Sequence, residues 1–292
     1  MFRVKDLDKL KERLNKGEIS QDTYDEISGR WSRDEKKDEQ QDHKDGDRKS
    51  TDMVVSVSGS GHFSDVDASE LRISGSGHIT GYVHVDRMRI SGSGHVEGPI
   101  EVKETMEVSG SLHADDAVRG MSISSSGSFR CLKISAEEIE SSGSVRVEDE
   151  MKAGSIKTSG SCRAEKIECE ELRSSGSIRA QSINAKLASI EGLIVAGRVT
   201  ADDFRLYIRR SDSMIEQLEA NTVLIESARR KFRSGSASIR EIKCGTAKIE
   251  ACTVERITGT EVEIGDDCKV GYVEAKIIRV SDRADVRERK VL

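Results

Sequence analysis

The chain has little of what a globular enzyme core is made from. Aromatic residues supply 3% of its 292 residues, whereas charged residues supply 34%. A roughly spherical interior of that size normally takes more large apolar side chains. Proline occurs once, at Pro99. No apolar run approaches the length that crosses a bilayer, about 20 residues. Met1 to Leu10 alternates charged and apolar residues without the apolar core of a signal peptide. There is no CxxC pair among the six cysteines (Cys131, Cys162, Cys169, Cys244, Cys252, Cys268), and none has a His at metal-ligand spacing. They read as reduced thiols acting as small hydrophobes, which points to the cytoplasm. The net charge of −6 gives no general attraction for nucleic acid or anionic lipid.

What is abundant is glycine, and it recurs at a fixed period. Ser-Gly-Ser units place glycine at Gly59, Gly75, Gly92, Gly110, Gly127, Gly143, Gly160 and Gly176, with a degenerate unit at Gly192. A spacing of about 17 residues is too short for two packed helices and too long for one hairpin. It fits one coil of three short strands and their corners. Apolar residues alternate within each unit, as in Val145/Val147, Cys162/Ala164 and Ile178/Ala180, with Arg, Glu and Lys between them. Such alternation is strand behaviour with the apolar side inward. A glycine at one corner is expected to supply a positive φ.

A second pattern carries the period onward. Ile215/Leu218/Val223/Ile225, Ile239/Ile242/Ala247/Ile249, Val254/Ile257/Val262/Ile264 and Val270/Val273/Ile278/Val280 share one set of offsets. Extra residues enter near 228–236. The expectation is a three-faced parallel β-helix over 53–282, a rod near 60 Å long at about 4.8 Å per coil. Val147, Ala164, Ile167, Cys169, Ile178, Ala180 and Ile183 should be buried. His62, His78, His95, Arg146, Arg163 and Arg179 should face solvent.

Residues 1–33 follow another rule. Leu7, Leu10 and Leu14 share a helix face, Lys16-Gly17 ends that helix, and Ser20 can cap a second helix carrying Tyr24, Ile27 and Trp31. This predicts a small α-hairpin. Residues 34–52 read as a charged, disordered linker, since Asp34 to Lys49 holds seven acids, five bases and no apolar residue. Residues 283–292 read as a charged tail.

The units Val-Ser-Gly-Ser-Gly-His and Ser-Ser-Gly-Ser-Val-Arg, about 17 residues apart, resemble the bactofilin family of polymer-forming cytoskeletal proteins. The likeness covers roughly Met53 to Val280. Val254 to Gly265, followed by Cys268 to Glu274, resembles a longer, less regular subgroup of that family. The resemblance implies a right-handed triangular β-helix that assembles end to end into filaments without nucleotide. It implies a homopolymer, with other bactofilin-like subunits as further partners. Leu7 to Ser20 with Tyr24 resembles the SHOCT helical hairpin, an oligomerisation element. Met1-Phe2 ahead of Lys5 is similar to the membrane-touching N-terminus of some bactofilins.

The chemistry-bearing patterns favour structure over catalysis. His62, His78, His95 and His113 occupy one column, continued by Arg130, Arg146, Arg163 and Arg179. Imidazoles stacked about 4.8 Å apart form a line and not the tetrahedral shell zinc prefers, so the column reads as a solvated stripe. The GxGxxxG runs from Gly75 and Gly92 are one residue too long for a dinucleotide fingerprint and recur with the period, so they are corners. Ile264 to Gly271 is similar to the hexapeptide repeat of left-handed β-helix acyltransferases, but the 16 to 18 residue drift does not keep a six-residue period. The basic run from Arg229 to Arg233 reads as an exposed loop.

The expected function is therefore a non-enzymatic scaffold filament, with no cofactor, no metal and no nucleic-acid partner. Its polymerisation edge is expected at Val54, Val55 and Val57, the start of the first strand. The rivals are an adhesin-like repeat protein and a β-helix acyltransferase or carbohydrate-active enzyme.

Overall fold

The computed structural model describes residues 53–209, 211–227 and 235–292. The chain divides into two units, Met1–Lys49 and Ser50–Leu292, and every described residue belongs to the second. The expected hairpin at 1–33, the linker at 34–52 and the basic run at 229–233 lie outside the described residues.

Within those residues all elements are strands, from β1 (Val54–Val57) to β23 (Asp285–Val291). All pairings are parallel, and each joins residues about one period apart. One ladder begins at Val57, passes through Ile73, Ile90 and Val108, and ends at Val280, its fourteenth residue. The second unit is thus a parallel β-solenoid of about 14 turns. Where β14 (Ser161–Ser174) meets β15 (Ser177–Ile190), pairing falls into three runs, 161–164, 166–169 and 171–174, with bends at Glu165 and Glu170. The sequence alternation thus becomes three short ladders per turn.

The interior is a narrow apolar stack. Val147, Ala164, Ile167, Ile178 and Ile183 are buried as expected, while Cys169 and Ala180 are half-buried. Two neighbouring columns share the space. One reads Ile73, Ile90, Val108, Ser125, Ser141, Thr158 and Ser174; the other, four residues later, reads Gly77, Gly94, Leu112, Phe129, Val145, Cys162 and Ile178. Glycine accompanies isoleucine, and serine accompanies Phe129, Val145 and Ile178, while Thr158 stands beside Cys162. A Cβ on Gly77 would lie 2.9 Å from Ile73 Cδ1, so the small residue makes room for the large one. The compensation leaves the hydroxyls of Ser125, Ser141 and Thr158 buried without a hydrogen-bond partner.

The repeat glycines behave differently from the expectation. None of Gly75 to Gly176 has a φ in the left-handed range. What excludes a side chain is the turn before. A Cβ would meet the carbonyl oxygen of the preceding repeat glycine at 2.0 Å for Gly75, Gly92, Gly110 and Gly143, and at 1.9 Å for Gly127, Gly160 and Gly176. Gly59, with no described turn before it, has nothing within 4 Å.

Two points concern the C-terminal third, the first as expected and the second not. The register between Ile225 and Ile249 spans the expected insertion, between the end of β17 (Ser213–Ser227) and the start of β18 (Ala237–Ile249). The expected tail at 283–292 is instead mostly strand, because β23 pairs with β21 (Lys269–Ala275) from Asp285↔Lys269 to Val291↔Ala275. Its alternating Asp285-Val286-Arg287-Glu288 pattern carries too few apolar residues to announce a strand, but the ladder continues regardless. Among the described residues no helix is long and apolar enough to cross a membrane.

Candidate functional site

The two ends of the solenoid differ in chemistry. At the first end, β1 pairs with β3 (Val66–Ile73) on one side only, and β2 (Ser60–Phe63) pairs only with β4 (Ser76–Ile79), among the described residues. Their other backbone edges have no described strand to pair with. Val54 is 51% exposed, Val55 is half-buried and Val57 is buried. Of the three expected edge residues, Val57 therefore belongs to the core of the first turn. Val55 points the same way but stands in register with Leu71 at the open end of the stack. Across β1 and β2 there is no formally charged side chain other than His62 when protonated.

The other end is formed by β22 (Ile277–Val280) and β23, which pair inward with β20 (Glu261–Ile264) and β21. It is densely charged. Arg279 engages Glu261, Arg283 reaches Asp266 at 3.2 Å, and Lys290 Nζ donates to Glu274 at 2.6 Å. Apolar surface remains at Ile277, Val291 and Leu292. Charge of this kind on an edge strand blunts indiscriminate pairing, and the first edge lacks it.

The histidine column lies along the side. His62, His78, His95 and His113 are in register on successive turns, followed by Arg130 and Arg146. His78 and His95 stack with centroids 4.9 Å apart, and His95 and His113 with centroids 5.1 Å apart. His62 and His113 are exposed, but His78 and His95 are half-buried by their neighbours. Sequence reasoning missed the carboxylates that join them. Residues two apart on a strand share a face, so Glu97 and Asp115 flank the column. His78 Nε2 lies 2.9 Å from Glu97 Oε1. Asp115 receives both His95 Nε2 at 3.0 Å and His113 Nε2 at 3.1 Å. The signal was legible as His-Ala-Asp at 113–115 and His-Val-Glu at 95–97.

The Cys131 and Cys162 thiols are packing groups, whereas Cys252 and Cys268 donate to backbone carbonyls, to Glu250 O at 3.0 Å and Ile249 O at 3.4 Å. Burial pushes Cys131 and Cys162 up to about 12, so both are protonated at neutral pH. Outer faces carry cross-turn ion pairs such as Arg89–Glu107 at 2.8 Å and Lys186–Glu170 at 2.6 Å. Comparison of the chain with protein-family models, curated proteins and solved structures returns no match.

Proposed function

We propose that the chain is a non-enzymatic scaffold protein, a right-handed three-faced β-helix that associates end to end into filaments without nucleotide. The observation that carries this reading is the first edge of the solenoid. It offers strand backbone with no described partner on its outer side, and it bears valine where monomeric solenoids place charge or proline. A second copy supplies both the missing hydrogen bonds and an apolar surface to cover Val55. The bactofilin-like repeat supports the same conclusion. The partner is therefore another copy of the chain or a subunit of similar repeat.

Electron microscopy and sedimentation velocity of the purified chain, in physiological salt without ATP or GTP, test the proposal. Filaments or a concentration-dependent series of oligomers are the expected result. A monomer at high protein concentration would overturn it.

A further inference from the structure

The parallel ladder fixes His95 on β6 (Ser93–Val96) and His113 on β8 (Ser111–Ala114) as register partners one turn apart. Asp115 follows directly, and its backbone N–H donates to Val96 O at 2.9 Å, which holds it in the same lattice. The two imidazoles therefore turn their Nε2 atoms toward one carboxylate, and the three ligand atoms all lie within 4.8 Å of one another. An ion about 2.0–2.2 Å from each of three ligands needs them roughly 3.0–3.6 Å apart. His95 Nε2 is 3.0 Å from Asp115 Oδ2 and His113 Nε2 is 3.1 Å from Oδ1, so each imidazole meets that spacing to its own oxygen of the shared carboxylate, and a small rotation of the rings brings the two nitrogens onto one ion.

We propose that His95, His113 and Asp115 form a binding site for one borderline divalent transition-metal ion of the zinc, nickel or copper(II) class. Two imidazoles and one carboxylate suit such ions over magnesium or calcium, which take oxygen shells. The side chains are 42%, 47% and 45% exposed, so the remaining coordination positions face solvent and take water. The next rung is Arg130, whose positive charge would oppose a cation, but its guanidinium is 2.9 Å from Glu148. The sequence expectation of a mere line of imidazoles left out Asp115, the group that makes them converge.

Isothermal titration of the full chain with Zn²⁺ tests this, with Mg²⁺ as the hard-ion control. The expected result is a saturable site that takes Zn²⁺ but not Mg²⁺. Removing even an outer partner of a metal ligand costs roughly 10–100-fold in affinity. Asp115→Asn should therefore weaken binding at least about tenfold, and His95→Gln with His113→Gln should abolish that site. His84→Gln, on another run of the turn, should leave it unchanged. With Cu²⁺ as the probe, electron paramagnetic resonance should show coupling to two nitrogens, falling to one in His113→Gln. Circular dichroism checks that each surface variant stays folded, and the readout is per chain whether or not it polymerises. No saturable Zn²⁺ binding, or equal binding by the double variant, would overturn the proposal.

Discussion

A Cβ placed on Gly143 would stand 2.0 Å from the carbonyl oxygen of Gly127, one turn earlier in the solenoid. The contact is backbone against side chain, so no rotamer relieves it. Gly143→Ala must push two turns apart along the corner and disturb the neighbouring ladder. Overpacking of this kind typically costs 1–3 kcal/mol, and occasionally more. We expect an unfolding free energy, read from urea denaturation, lowered by at least about 2 kcal/mol in Gly143→Ala. Gly59→Ala meets nothing within 4 Å. It should stay within about 0.5 kcal/mol of the parent. Equal loss in both variants would point to the glycine conformation and away from the turn-to-turn contact.

Ser141 and Thr158 carry buried hydroxyls without partners, in a column that holds valine and isoleucine nearer the first end. A buried, unpaired polar group costs about 1–3 kcal/mol. Ser141→Ala and Thr158→Val remove that group with little change in volume. Both should be neutral or stabilising by up to about 1 kcal/mol in chemical denaturation. A loss above 1 kcal/mol in either would mean that its hydroxyl is hydrogen-bonded in solution.

How far the sequence reveals this architecture depends on the residue class. Ile167, Ile178 and Ile183 declared their inward side because period-two alternation is local and survives in any parallel ladder. The reason for the glycines did not show, since the carbonyl that excludes a Cβ belongs to a residue 16 to 18 positions away. Asp285 to Val291 looked like a tail because exposed edge strands carry charge in place of an apolar face. Asp115 was overlooked for a related reason. Its role arises only when His95 and His113 are brought into register, and acids are too common on this surface to single one out.

Several carboxylates are held below their ordinary range by cations on the same or a neighbouring turn. Glu148 is lowered chiefly by the Arg146 hydrogen bond, Glu168 by Lys166 and Glu274 by Lys290. A folded value below the unfolded one, about 4.3 for Glu, gives stability that is fully present above it. That contribution is lost as pH falls through the depressed folded values. The unfolding midpoint should therefore drop progressively below about pH 4.5. Added salt should reduce the drop, since these pairs face solvent. A midpoint unchanged from pH 6 to pH 3 would show that the pairs contribute nothing.

Assembly can be probed at the one edge residue that is exposed enough to alter and inward enough to matter. Val57 is unsuitable, because it is buried in the first turn and a charge there would damage the fold itself. Val55 is half-buried, stands over Leu71 and has no described neighbour on its outer side. Lysine at this position can extend its stem across the apolar end and keep its ammonium in water. Val55→Lys should leave the circular dichroism and melting of the chain nearly unchanged. A docking copy, however, would have to bury that charge, so sedimentation should show loss of the long species. The size of what remains identifies the geometry. If the first end docks on the charged last end of the next copy, every junction contains Val55, and the variant becomes a monomer. If like ends meet instead, only alternate junctions contain it, and the variant stops at a dimer joined through β22 and β23. Filaments as long as those of the parent would place the contact elsewhere and remove the first edge from the mechanism.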